Sequence, residues 1–386
     1  MRDRTILILG GGIGGVVAAN VLRNKLAKQH EVALVDRGPH HQFPPAYPWM
    51  MMGWRELGQT RKDLGLLEKK GIRFIQGEIS RIDPEERIVE VASETLGYDY
   101  LIVSLGADLA PEMITGFADT AHHNYTADAA LQFREALTIF EGGTIAMGIS
   151  SPPFKCPAAP FESALLVDHY FRRKRMRDKV EIRFFNPGPL PMAVAGPKVG
   201  NMIVHLLETR GISYQPNFKL SSVDRDARKI TSESGEEIGY DLLYAVPPHR
   251  SPKVIRDSDL ANSSGWVPVD RNTLRTRFDD VYAIGDVNTI PLPMGKPLPK
   301  AGVFAHHQAE VVAHNVAAEI RGVGEEKVFD GYGECFLEIG FGKASMMRGN
   351  FYTEPKPEVE IRWPKMSRLW RWYKVLFEKW WMWKWF

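Results

Sequence analysis

The chain of 386 residues has little cysteine: two residues, Cys156 and Cys335, 179 positions apart. That separation gives no zinc-ligand spacing, and two thiols are too few for a structural disulfide framework. They are either buried and inert or a redox pair. His40-His41 also lacks a metal-ligand spacing, so no metal is expected. No stretch reaches the roughly 18 uninterrupted apolar residues of a membrane-spanning helix. The N-terminus enters an apolar strand directly, so the sequence predicts no signal peptide. Excess charge is small, +2 overall, but it is unevenly spread. Residues 361–386 carry seven Lys and Arg against one Glu, and the rest of the chain is mildly acidic. One basic run, Arg172 to Arg175, falls at the C-terminal end of a predicted helix over 161–176, where the dipole favours cations. No interleaved aromatics or second basic stripe accompany it, so no nucleic-acid partner is expected.

What is present begins at residue 5. Thr5 to Leu9 reads as a buried strand running into Gly10-Gly11-Gly12-Ile13-Gly14-Gly15, with a helix predicted from Val16 to about Ala27. Gly10, Gly12 and Gly15 fit G-x-G-x-x-G. They serve the tight turn, the approach of a pyrophosphate to the backbone, and close helix–strand packing. The phosphates would sit at a helix N-terminus, against unpaired amides. A second strand, Glu31 to Asp36, ends in an acid 21 residues after Gly15. Its carboxylate can accept both ribose hydroxyls, which favours FAD or NAD over NADP. Arg37, beside it, and Ile79, at the end of another apolar run, complete the candidate adenosine contacts.

Length allows two or three domains on a scale of about 150 residues each. Three prolines between Pro44 and Pro48 predict an irregular loop with aromatic side chains. Tyr98 to Ala107 resembles the second FAD-contacting strand of two-dinucleotide-domain flavoproteins, with Gly106 at the close approach. Val281 to Val287 is a strand ending in Gly285-Asp286, and in such enzymes that aspartate binds the ribityl chain. Lys300-Ala301-Gly302 then opens a helix to about Ile320, whose N-terminus suits the negative side of a reduced flavin ring.

Gly143 to Gly148 starts a second strand–turn unit. Its turn reads Ser150-Ser-Pro-Pro-Phe-Lys-Cys156-Pro-Ala-Ala-Pro160-Phe-Glu162. Prolines and bulky residues spoil a phosphate cradle, so a nicotinamide-type domain that does not bind nicotinamide is predicted. Cys156 is expected at the N-terminus of the following helix, where dipole charge lowers a thiol's pKa. At the far end, Met366 to Phe386 is predicted to be an amphipathic helix. Leu369, Trp370, Tyr373, Leu376, Phe377, Trp380 and Trp381 form the apolar face; Arg368, Arg371, Glu378 and Lys379 lie opposite. A Trp-rich face flanked by Lys and Arg suits a lipid bilayer surface. The alternative is a helix packed on the chain's own core or on a second copy in a homo-oligomer.

These motifs together resemble the sulfide:quinone oxidoreductases of the disulfide-oxidoreductase flavoprotein superfamily. The carriers are the Gly10–Gly15 turn, the Phe43-to-Trp49 segment, Cys156-Pro-Ala-Ala-Pro-Phe-Glu162, Gly285-Asp286, Lys300-Ala301-Gly302 and the Cys335 segment. The Cys-Pro-x-Ala-Pro-x-Glu stretch is the most specific. The resemblance implies an α/β fold of two Rossmann-like dinucleotide-binding domains of the glutathione-reductase type, plus a C-terminal membrane-binding region. It places an FAD domain at 1–112 and 262–325, a second domain with a degenerate NAD(P) site at 113–261, and a C-terminal region at 326–386. It implies oxidation of sulfide to polysulfide or sulfane sulfur at Cys156 and Cys335, with membrane quinone as acceptor and Glu162 assisting proton transfer. Pro44, Gly302 and Phe336 match positions near that family's quinone pocket. The expected location is peripheral, monotopic membrane association. Two departures stand out: no third cysteine occurs around Ala121 to Tyr125, and no histidine around Pro191 to Ala193. Type II NADH dehydrogenases and the flavin subunit of flavocytochrome c sulfide dehydrogenase are the competing relatives.

Overall fold

Apolar runs without alternation suit strands covered on both faces. Thr5–Leu9 (β1) is such a strand, with Ile6 to Leu9 buried. The computed structural model describes residues 2–362 and 365–386. From β1 the chain passes through the helix Ile13–Lys25 (α1) to Glu31–Asp36 (β2), Arg73–Gln76 (β3) and Tyr100–Val103 (β4). A second unit follows: Gly143–Ile149 (β5), the helix Ala159–Arg173 (α2), Val180–Phe185 (β6), the helix Pro197–Thr209 (α3), Ile212–Gln215 (β7) and Leu242–Val246 (β8). The chain then returns to the first unit with Val281–Ala283 (β9) and the long helix Gly302–Arg321 (α4). It ends in Tyr332–Gly340 (β10), Lys343–Asn350 (β11), Glu358–Ile361 (β12) and the helix Arg368–Lys384 (α5).

The first sheet runs β9-β4-β1-β2-β3 and the second β7-β6-β5-β8, both parallel throughout. In each, the opening strand lies where the order reverses. Ligands of open parallel sheets bind at that point, outside the strand C-termini. Each unit also carries a three-stranded antiparallel excursion, at 79–97 and 220–239. The fold is therefore one architecture used twice, as the sequence predicts.

The C-terminal piece ties the two units together. Leu337, Ile339 and Met347 of β10 and β11 belong to the core of the second unit. Trp381, Met382 and Trp385 belong to that of the first. Burying an indole such as Trp381 contributes roughly 2–3 kcal/mol.

Three local expectations change. Helix α1 starts at Ile13, three residues before Val16, because Gly12 already serves as its N-cap. The proline segment is a one-turn helix, Pro44–Ala46, leading into Tyr47–Met51. Its prolines occupy first turns, where a missing amide costs nothing. Helix α5 forms as predicted, capped by the Ser367 hydroxyl on the Trp370 amide at 3.3 Å, but its faces are rotated. Trp370 and Trp381 are buried against the protein, whereas Trp372 (64% exposed) and Trp383 (78% exposed) face outward with Leu369, Tyr373, Leu376 and Trp380. Arg371 is half-buried, Lys374 and Glu378 are buried, and ion pairs draw all three inward. No helix among the described residues is long and apolar enough to cross a membrane.

Candidate functional site

At the first turn the glycines divide by what a side chain would meet. A Cβ on Gly10, whose φ is +102°, would lie 2.4 Å from the Ser104 carbonyl oxygen. On Gly14 it would lie 2.6 Å from the Ser104 hydroxyl, and on Gly15 only 1.8 Å from the Gly10 carbonyl. On Gly12 it would meet nothing within 4 Å. Strand and helix packing therefore demand Gly10, Gly14 and Gly15, while Gly12 presents open backbone beside Ile13 at the start of α1. The Asp36 carboxylate accepts the Gly11 amide at 2.6 Å and the Gly38 amide at 2.8 Å, which fixes it beside that opening. Arg37 follows, its carbonyl accepting from Gln76 at 3.4 Å. The Ile79 side chain is buried in the apolar core on one face of the sheet.

Across the turn, Gly106 is open on its Cβ side. Asp286 keeps a buried carboxylate oxygen, Oδ1, without a hydrogen-bond partner. Burial raises its acid, against the pull of Lys300 and Lys155. The Lys300 ammonium donates to the Asp286 carbonyl at 2.6 Å and the Asn288 carbonyl at 3.1 Å. Burial draws it down to about 8, with Asp286 opposing. Ala301 caps α4, and a Cβ on Gly302 would come 2.6 Å from the Ile13 side chain, so α1 and α4 present their N-termini side by side. Open glycine backbone, two helix N-termini and an acid with an unmet acceptor fit a cofactor bearing phosphates and hydroxyls.

The second turn is built differently. Cys156 lies outside α2, in a left-handed conformation (φ 55°), and its amide donates to the Lys300 carbonyl at 2.7 Å. The two turns are thus stitched together at Lys300. Cys335 lies on β10 opposite Met347. Both thiols are free and half-buried, and Cys156 exerts an electrostatic effect on Cys335. Around them stand Glu162 of α2, Glu338 of β10 and Lys374 of α5. The Lys374 ammonium pairs with Glu162 and lies 3.5 Å from Glu338. Glu338 also accepts from Arg371 at 3.0 Å and from the Trp49 indole.

The expected lowering of the Cys156 pKa does not occur. Burial, with Glu162 adding to it, pushes the thiol up to about 11. The Ala159 amide at the helix start pulls the other way, but it is outweighed. Cys335 is raised as well, by burial and then by Cys156 and Glu162. Burial also raises the Glu162 acid, with Lys374 opposing and Glu338 reinforcing. The sequence reading names Glu162 but weighs only the helix dipole for the thiol, and the dipole does not overcome burial with that carboxylate added.

The profile of the family described as pyridine nucleotide-disulphide oxidoreductase matches residues 4–309. The chain belongs to that family. It is 26% identical over 363 residues to the mitochondrial sulfide:quinone oxidoreductase of Mus musculus, covering 91% of this chain and 79% of that one. It is 27% identical over 400 residues to the sulfide-quinone reductase of Aquifex aeolicus, covering 98% and 90%. The X-ray structure of the sulfide:quinone oxidoreductase of Aquifex aeolicus superposes with a TM-score of 0.89 at 24% identity, covering 99% of this chain and 91% of that chain. The resemblance drawn from the motifs is borne out.

In this oxidoreductase, helix α5 packs one side on the chain's own core, the alternative that the sequence leaves open. Phe336 packs on Tyr373 with ring centroids 5.8 Å apart. Phe43, beside the exposed Pro44, packs on Phe377 at 6.3 Å and Trp381 at 6.0 Å. Phe43, next to Pro44, and Phe336 therefore both pack on α5. The segment 121–125, which lacks a cysteine, is held by Asn124, which donates to Ser163 at 2.9 Å and accepts from Tyr244 at 2.7 Å. The missed site residues are Lys374, Glu338, Arg371 and Trp49. Only the run of buried-type sequence around Glu338 (Leu337, Ile339) could have pointed to one of them.

Proposed function

We propose that the protein oxidises sulfide at a Cys156–Cys335 pair and passes the electrons through FAD to membrane quinone. The observation that carries this reading is that both cysteines, from separate elements, feel the same buried Glu162–Lys374 ion pair. FAD would be held by the domain at 1–112 and 262–325. Gly10, Gly12, Ile13, Gly14 and Gly15 would serve its phosphates, and Asp36, Arg37 and Ile79 its adenosine end. Gly106, Asp286, Lys300, Ala301 and Gly302 would serve its flavin end, the unmet Asp286 oxygen accepting from a hydroxyl. When bound, it supplies a two-electron store between sulfur and quinone.

At the sulfur site, hydrosulfide attacks the disulfide form of the pair. One S–S bond forms as another breaks, leaving a persulfide on one cysteine and a thiolate on the other. The sulfide is oxidised by two electrons and the disulfide reduced by two. Glu162, kept above the ordinary carboxylate range, can hold a proton at that position. Pro44, Gly302 and Phe336 would border the quinone. The outward face of α5 exposes apolar side chains, and its exposed charges, Arg368, Lys379 and Lys384, are all positive. That combination suits a peripheral, monotopic position on an anionic lipid surface. The second domain, 113–261, would contribute the cysteine instead of a nicotinamide site.

Anaerobic addition of sulfide to the FAD-loaded protein is the test. Flavin absorbance should bleach and return on addition of a soluble quinone. Cys156→Ser and Cys335→Ser should each abolish the bleaching while retaining FAD. Wild-type rates in either variant would sink the cysteine pair as the entry point.

A further inference from the structure

Part of the polar side of α5 does not face water. Lys374 is 6% exposed and Glu378 1%. Six charges meet there: Arg55, Arg371 and Lys374 against Glu162, Glu338 and Glu378. Arg55 is committed to Glu378 through several short contacts, the closest at 2.6 Å. Arg371 is held by Glu338 and stacked over Trp54, 5.4 Å from the ring centre. Lys374 alone is shared. It reaches across 212 residues to Glu162 and lies beside Glu338 and over the Trp49 ring at 4.9 Å. It also acts electrostatically on both cysteines.

Such a cluster is a weak source of stability, because desolvating buried ions offsets their attraction. Its charge balance has a chemical consequence. With a neutral disulfide in place and Glu162 ionised in its pair with Lys374, the cluster holds three cations and three anions. Attack by hydrosulfide adds one negative charge, left on the departing thiolate, in a poorly solvated site. Without a movable cation, the buried thiolate is disfavoured.

We propose that Lys374 is the counter-ion of the sulfur half-reaction: its ammonium is shared between Glu162 and the thiolate released when hydrosulfide opens the Cys156–Cys335 disulfide, which makes α5 a wall of the sulfur site as well as its surface-facing element. This rests on the reading of that pair as the point of sulfide oxidation. The step balances as HS⁻ plus disulfide giving one persulfide, which keeps the proton, and one thiolate. The groups facing Lys374 are Glu162 of α2, Cys335 and Glu338 of β10, Cys156 from its loop, Trp49, and Arg371 and Glu378 of its own helix; Glu334 of β10 acts on Cys335. His169 of α2 stands near Glu338 and Arg55 pairs with Glu378. Glu162 and Glu338 together raise the ammonium against the effect of burial, so it is charged at neutral pH.

The test uses the FAD-loaded full chain as wild type, Lys374→Met, Lys374→Gln and Lys374→Arg. Two quantities are read across pH: the anaerobic rate of flavin bleaching by sulfide, and the rate at which iodoacetamide labels Cys156 and Cys335 in the reduced protein, followed by mass spectrometry. Loss of the cation should slow bleaching at pH 7 by about ten-fold or more and move the labelling midpoint up by about one pH unit, since one unit of pKa is a ten-fold change in thiolate. Lys374→Arg should restore most of both. If Lys374→Met loses FAD, Lys374→Gln, which keeps a donor for Glu162 without the charge, carries the test. Wild-type bleaching and labelling profiles in the Met or Gln variant would overturn the counter-ion role. A wild-type protein that sulfide does not bleach would instead overturn the sulfide reading, and the labelling profile would still decide the role of Lys374.

Discussion

The two strand–turn–helix units start from the same place in their sheets and end in opposite chemistry. At the first, β1 runs into Gly10–Gly15 and α1, and Gly12 offers open backbone. At the second, β5 runs into a turn of prolines, Phe154, Lys155 and Cys156 before α2. The second unit still has Gly148, but for a different reason. A Cβ there would lie 2.4 Å from the Phe185 carbonyl oxygen, so it is a packing glycine. The second turn thus keeps what a tightly packed sheet demands, without a second glycine fingerprint. On the proposed reading, one topology would serve as a phosphate cradle in the first unit and as a shelf for a thiol in the second. The binding mode is decided by a few turn residues and not by the sheet.

The largest effect that would sharpen this contrast comes from Gly15. Alanine in a helix is ordinarily better than glycine by roughly 0.5–1 kcal/mol. At Gly15 that gain is overwhelmed, because the new Cβ would sit 1.8 Å from the Gly10 carbonyl. Gly15→Ala should lose bound FAD completely and melt far below wild type. Gly12→Ala meets no protein atom. It should keep its circular dichroism and change the melting of the cofactor-free protein by less than about 1 kcal/mol, yet bind FAD at least ten-fold more weakly. A Gly12→Ala variant that elutes from gel filtration with wild-type flavin content would show that the open face is not the route of approach.

A smaller effect concerns the histidines behind each turn. His41 holds the first turn by donating from Nδ1 to the Gly11 carbonyl at 2.8 Å. Burial draws its pKa down to about 4. His249, which Lys155 of the second turn influences, is drawn down to about 3 by burial. Both titrate near 6.5 when unfolded. Below that pH the unfolded chain binds more protons, so stability present above about pH 6.5 is lost as pH falls towards 4 and then 3. For His41 alone the loss by pH 4 is roughly 3 kcal/mol. His41→Asn should be less stable than wild type at pH 7 and lose that disadvantage by pH 4, read by urea melts at both pH values. A difference that stays constant with pH would mean that His41 does not titrate from a buried neutral state.

Local chemistry was legible in the sequence. Gly10 to Gly15, Asp36, Gly285-Asp286 and Cys156 with its prolines each carry their meaning within a few residues, and the structure finds the turns and strands they imply. What could not be read comes from contacts between distant elements. The α5 wheel sorts residues by polarity, and polarity misleads where partners elsewhere pull charges inward. Glu378 is drawn inward by Arg55, 323 positions away, and Lys374 by Glu162, 212 positions away. Trp372 and Trp383 then take the outward side because the buried side is already filled. The Cys156 pKa failed for a related reason: the helix start and Glu162 were visible, but the burial of the thiol in the folded chain was not.

The smallest expected effect is no effect, and it bears most directly on the comparison. If the second turn cannot cradle a pyrophosphate, NADH has no site in the second unit. Millimolar NADH should then leave the melting temperature of the FAD-loaded protein unchanged. A ligand at 100 times its Kd stabilises by about 2.7 kcal/mol, so even weak specific binding would register as a shift. Nor should NADH bleach the flavin in the absence of oxygen, under conditions where sulfide does. The physical reason lies in the turn itself: its Cys156 amide is already engaged by the Lys300 carbonyl, and Pro160 and Phe161 in the first turn of α2 are packed into the core. Bleaching by NADH would break the comparison outright. Nicotinamide would have to bind by some geometry other than a glycine cradle, and the chain would move to the NADH-oxidising branch, with Cys156 and Cys335 left as packing residues.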